Sequence, residues 1–244
     1  MDTSFAPAAP AAASRPGHTV RVHADGILTV PTNAVTSPWG VSQTVQHLRY
    51  AFGLPTNAPV RRWLEDDALP ICQISWEKEG IRYTQKVLIT TTGTNDPTTA
   101  SPAADDAVLL VQITGHNAAT EYATASAVFE VKVGDRPLNL ELREGLVFVA
   151  GSKDGALLAA VDIASEGIAG TNGLQLRFQG HMPPGTSGSM TIKIPAGRLE
   201  NQAAIDQLRD LEFEEEFRRV KRLWKERPGV AREAWPVTWA ESTK

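Results

Sequence analysis

Hydrophobic and polar residues alternate with a period of two through most of this chain, and the period lengthens only near its end. In "ICQISWEKEGIRYTQKVLIT", Cys72, Ile74 and Trp76 alternate with Gln73, Ser75 and Glu77. Beyond Lys78-Glu79-Gly80, Ile81, Tyr83, Val87 and Ile89 alternate with Arg82, Thr84 and Lys86. Successive side chains of a strand point to opposite faces, so this spacing predicts an antiparallel hairpin with one apolar face. Leu88 is the exception on the polar side. The pattern predicts a sheet that packs on one side only.

"AVLLVQITGHN" is apolar on both faces and predicts a central strand. "TASAVFEVKVGDRPLNL", "GLVFVAG", "GALLAAVD", "GLQLRFQG" and "GSMTIKIPAG" are further strand candidates. Leu174, Leu176 and Phe178 share a face in one of them, and Met190, Ile192 and Ile194 share a face in another, opposite Thr191 and Lys193. "HTVRVHADGILTVP" predicts two short strands around the turn pair Asp25-Gly26. Residues 32–67 predict long loops with some strand. Between residues 18 and 195 this gives roughly ten strands, parted by Gly, Pro, Asn and Asp turns and not by helical patterns. The fold class that follows is mainly β: a two-sheet antiparallel β-sandwich.

At Pro195 the period changes. Leu208, Leu211, Phe213, Phe217, Val220, Leu223 and Trp224 have helical spacing. Asp210 is placed to cap a helix that starts near Leu211. Acidic residues crowd its first turns and basic ones its last, which complements the helix dipole, and Pro228-Gly229 ends it. The chain therefore divides into a flexible tail (1–17), a β-sandwich domain (18–195), a helical linker packing on the sandwich (196–230) and a C-terminal tail (231–244). The helix can fold back across a sheet. Alternatively, it or the tail can meet a second copy in a homo-oligomer, or another domain. Trp235 and Trp239 flank Pro236 in the tail, which reads as a linker whose destination lies elsewhere.

Composition narrows the function. Of 244 residues, 42% are hydrophobic and 21% charged, enough to fill a core. The net charge is -4, from 24 basic and 28 acidic residues, so neither a nucleic-acid surface nor a polybasic membrane patch is indicated. No run reaches the roughly 20 apolar residues of a membrane helix. The start lacks the pattern of a signal peptide, which makes the cytoplasm the default location. Cys72 is the only cysteine, so no internal disulfide forms, and its strand setting reads as a small buried hydrophobe.

Local chemical motifs are absent. His18, His23, His47, His116 and His181 show no metal-ligand spacing, and there is no G-x-S-x-G elbow or phosphate loop. No catalytic residue, metal or cofactor is assigned. Glycoside hydrolysis needs two carboxyl groups about 5–9.5 Å apart. Glu65, Asp66 and Asp67, beside Trp63 in the loop "RRWLEDD", are candidate carboxylates, and the cluster is a plausible sugar platform. Trp63, Trp39 and Tyr50 are candidate sugar platforms, with Glu65 and Asp66 as polar neighbours. Glu77 and Glu79, near Trp76, read as solvated.

Taken in order, "LPICQISWEKEGIRYTQKVLIT", "AVLLVQITGHN", "IKIPAG" and "LEFEEEFRRVKRLWKE" resemble the N-terminal part of large bacterial glycoside hydrolases. The resemblance rests on Trp76, Glu77, Gly80, Ile81, Tyr83 and Gln85 of the hairpin, then on Pro195 and the late Trp224, and covers about residues 65 to 227. In that family a super-sandwich is joined by a helical linker to an (α/α)6 catalytic barrel. The resemblance implies a non-catalytic sandwich module with a structural or substrate-positioning role. It implies no catalytic residue here, because the family's catalytic carboxylates lie in the barrel. Its alternatives are a stand-alone carbohydrate-binding protein, with an oligosaccharide as partner, and a glycosidase with an unrecognised carboxylate pair.

Overall fold

The computed structural model describes residues 20–32, 46–53, 60–92, 106–151, 156–163, 168–171, 173–199, 201–227 and 237–239. In chain order the strands are β1 (Val20–Val22), β2 (Leu28–Thr32), β3 (Gln46–Ala51), β4 (Arg61–Leu64), β5 (Cys72–Lys78), β6 (Ile81–Thr91), β7 (Ala107–Asn117) and β8 (Ala123–Val133). They continue as β9 (Arg136–Pro137), β10 (Leu140–Arg143), β11 (Leu146–Val149), β12 (Leu157–Ile163), β13 (Ile168–Thr171), β14 (Leu176–Met182) and β15 (Ser187–Pro195). Helices α1 (Gln202–Asp210) and α2 (Phe213–Lys225) follow, and then β16 (Val237–Trp239).

These strands form two sheets. The first runs β13-β14-β8-β3-β2-β1-β16, with β9 paired to β8; the second runs β10-β11-β12-β15-β7-β6-β5-β4. The protein is therefore a two-sheet β-sandwich, antiparallel except where β16 pairs in parallel with β1. The alternation in β5 and β6 is realised: Cys72, Ile74, Trp76, Ile81, Tyr83 and Val87 are buried between the sheets. Lys78 pairs with Ile81, leaving Glu79 and Gly80 as a two-residue turn with φ of 51° and 78°. Positive φ at both positions gives the primed turn whose twist suits a hairpin, and Gly80 takes it without steric cost. The inter-sheet core is closed by Phe129, whose ring lies 5.8 Å from Tyr50 and 5.9 Å from Phe52. Two polar ties cross it: Gln85 donates to the Gly26 carbonyl, and the Ser126 N–H donates to the Tyr83 hydroxyl.

The structure corrects the sequence expectations in five places. The second sheet packs on both faces, not one. Across its outer face Leu88, Leu110, Lys193, Ala160 and Leu146 stand side by side on five neighbouring strands. They are buried under α1 and α2 together with Leu208, Phe213, Val220 and Trp224. The apolar stripe of the helix is thus covered by its own chain, the first of the two readings. Asp210 does not cap α2 but ends α1, whose N-cap is Asn201 accepting the Ala204 N–H at 3.0 Å. Leu174 precedes β14 and is 42% exposed, away from the face of Leu176 and Phe178. Trp63 sits on the edge strand β4 and not in a loop.

The fifth correction concerns the tail. Within it, β16 adds an edge strand to the first sheet, pairing Val237 with Val20 and Trp239 with Val22. Val237 is fully buried, and Trp239 packs against the inter-sheet core with the Arg62 guanidinium 5.5 Å from its ring centre. Trp239 therefore finds its partner within this chain. Trp235 lies outside the described residues.

Candidate functional site

The acidic cluster singled out in the sequence is a docking point for α2. After β4 the chain turns through Glu65, Asp66 and Asp67, with Asp66 and Asp67 at φ of 48° and 58°. The Glu65 N–H is tied to the Ile71 carbonyl at 2.9 Å. The Glu65 carboxylate accepts from the Gln73 amide and the Lys221 ammonium. Asp66 pairs with Lys221 at 2.9 Å and with Lys225 at 2.7 Å. Both carboxylates are thus occupied by helix lysines, and for Asp66 this is the opposite of the raised-pKa environment a general acid needs. Hydrogen bonds from Lys225 and Lys221 hold the Asp66 carboxyl at about 2, below its ordinary 3.8. Hydrogen bonds donated to Glu65 and Asp66 raise the Lys221 ammonium above its ordinary 10.5.

The direction of the pH dependence follows. A depressed carboxyl stabilises the docked helix above its unfolded value of 3.8, and that support is lost as pH falls through about 2. A raised ammonium stabilises below its unfolded value of 10.5 and stops doing so as pH climbs through the higher folded value. Protection of the amides in 213–225, relative to their intrinsic exchange rates, is expected to fall between about pH 4 and pH 2, and Asp66→Asn is expected to flatten that step. An Asn variant with an unchanged acid step would reject the assignment.

The aromatic candidates separate. Trp63 is half-buried on the edge strand β4, opposite Gln73. Tyr50 is 2% exposed against Phe129, and burial raises its phenol pKa, so it offers no face to a sugar. Trp39 lies outside the described residues. The structure therefore joins Trp63, Glu65 and Asp66 along one edge and places Tyr50 in the core.

A cavity of about 320 Å³ lies between the sheets near the hairpin from β14 to β15. Its origin is a set of small residues that the register brings together. Gly115 pairs with Gly188 on the second sheet, and Ala125 pairs with Gly180 on the first. Ala127 is the next inward residue along β8. Larger side chains from Tyr83, Ile113, Phe178, Met182 and Met190 complete the wall. The exposed residues His181, Pro183, Thr186 and Ser187 form its rim. Sequence reasoning missed this site, though glycines inside strand patterns, as in "ITGHN" and "TSGSM", are a legible sign of close backbone approach or a ligand.

The remaining polar chemistry is modest. His116 lies 2.9 Å from the Ser187 hydroxyl and His181 lies 3.1 Å from the Thr124 hydroxyl, both on exposed strand faces. Burial pushes the Cys72 thiol up to about 12, which leaves it inert. Among the described residues, no group of three or more His, Cys, Asp or Glu could hold a metal ion, and no helix is long and apolar enough to cross a membrane. Neither a family model nor a curated protein matches this sequence.

Proposed function

We propose that this chain is a non-catalytic β-sandwich module of the glycoside-hydrolase type, with a structural or substrate-positioning role in carbohydrate processing. The observation that carries the reading is the fastening of α2 to the sandwich. Lys221 and Lys225 take up Glu65 and Asp66, two of the candidate carboxylates. The same contact ties the helical segment to the second sheet. That suits a module that braces a neighbouring catalytic domain. The half-exposed Trp63 beside the exposed Arg61 and Arg62 supports a second reading, a carbohydrate-binding protein using that edge.

One panel separates these readings. The purified chain, incubated with aryl glycosides and oligosaccharides, is expected to release no product above a protein-free control. Turnover lost in Glu65→Gln or Asp66→Asn would overturn the non-catalytic reading. Calorimetry against the same sugars addresses the second reading: millimolar binding abolished by Trp63→Ala would favour it, and an absence of heat would remove it.

A further inference from the structure

We infer that the inter-sheet cavity is a binding site for a small apolar molecule that carries one hydrogen-bond acceptor, such as an aromatic or short acyl ketone. This inference is independent of the module reading, because it rests on another part of the molecule.

The cavity's size and wall give the first half of the inference. At about 320 Å³ it falls at the small end of the range of ligand pockets, about 300–1,000 Å³. Filling such a space by packing requires only larger side chains, yet Gly115, Gly188, Gly180 and Ala125 meet there as two small-on-small pairs. A Cβ on Gly115 would meet Ile81 of its own sheet at 3.3 Å and Ala125 of the facing sheet at 3.6 Å, so that glycine lets the sheets approach, and the open volume lies beside it. Met182 and Met190 contribute unbranched, polarisable side chains that adapt to differently shaped guests. No Asp, Glu, Lys or Arg lines the cavity, so an ionic guest would lack a counter-charge.

Tyr83 gives the second half. Its ring stacks on Trp76 with centres 5.2 Å apart, which fixes its position. Its oxygen accepts the Ser126 N–H at 3.0 Å across the sheets. A phenol that accepts this bond still has its own O–H to donate. Burial keeps the phenol protonated, raising it above its ordinary 10.0. A guest with a carbonyl or ether oxygen can take that hydrogen, whereas a pure hydrocarbon cannot.

The sequence offers a direct readout. The chain has three methionines, and two of them, Met182 and Met190, line the cavity. In protein labelled with ¹³C at the methionine methyls, acetophenone and its hydrocarbon counterpart cumene are titrated separately. Both are expected to shift the Met182 and Met190 signals. Tyr83→Phe is expected to weaken acetophenone binding roughly fivefold, the worth of one net hydrogen bond, and to leave cumene binding unchanged. Ala127→Leu is expected to fill the space and abolish both titrations, with retained fold checked by signal dispersion. Should that variant fail to fold, Ala125→Val, a smaller filling of the same wall, replaces it. Unmoved methionine signals at saturating probe, or shifts that persist in a folded filling variant, would overturn the site. An unchanged ratio of the two affinities in Tyr83→Phe would overturn the role of Tyr83.

Discussion

Replacing Lys193 with alanine is expected to destabilise the protein by roughly 3–5 kcal/mol, while methionine there is expected to cost only about 1–2 kcal/mol. Lys193 is fully buried, the one charged residue in a row otherwise made of Leu88, Leu110, Ala160 and Leu146. Its ammonium donates to the Arg209 carbonyl in the last turn of α1 and pairs with Asp162 at 2.5 Å. A cation there meets the negative end of the helix dipole. The Asp162 side chain is 50% exposed, so its attraction is screened and contributes little. The larger share comes from the buried four-carbon stem and from the carbonyl that would lose its donor. Methionine retains the stem volume and removes a desolvated charge, which is why its cost is smaller. Equilibrium unfolding in urea measures both. Equal losses for the two variants would mean that the ionic contacts dominate and the packing does not.

Lys193 also illustrates what could be read from the sequence. Period two made the β5–β6 hairpin, the central place of β7 and the inward face of β15 legible, because each is a long strand with one face against the inter-sheet core. Leu88 stood out as an apolar residue on a polar face; the structure explains it as part of the seat for the helices. The seat itself could not be read, because it is assembled across five strands whose register no local pattern specifies. Short elements were missed for a related reason. β16 has three residues and pairs with β1 at the other end of the chain, so neither periodicity nor proximity announces it. Of the candidate site, "RRWLEDD" was visible as aromatic and acidic residues. That Lys221 and Lys225 would neutralise those acids depended on where α2 lands. The cavity depended likewise on Gly115 meeting Gly188 and Gly180 meeting Ala125.

Trp224→Ala is expected to release α2 from the second sheet while leaving the inter-sheet core folded. Trp224 is 5% exposed and packs in the cluster with Leu88, Val108 and Leu110, and no helix residue belongs to the inter-sheet cluster. Truncating a buried tryptophan costs about 3–5 kcal/mol. Against that loss stand the buried Phe213 and Val220, the Lys86 ammonium 4.7 Å from the Phe217 ring, the hydrogen bonds of Glu216 and Arg219 with Thr90 of β6, and the lysine pairs at Glu65 and Asp66. Polar contacts of this kind contribute about 1 kcal/mol each, and isolated helices of thirteen residues are marginal, so α2 is held less firmly than the inter-sheet core. The undocked helix therefore becomes a populated local state and not merely a step in global unfolding. Hydrogen exchange is expected to lose protection across 213–225 while β7 and β8 remain protected. Protection lost together in α2, β7 and β8 would show that helix and sandwich form one cooperative unit. Release of the helix alone would leave Leu88 and Leu110 facing water, an apolar surface prone to self-association. It would also separate the helical segment from the sandwich, so the variant tests the mechanical premise of the module reading as well as the packing.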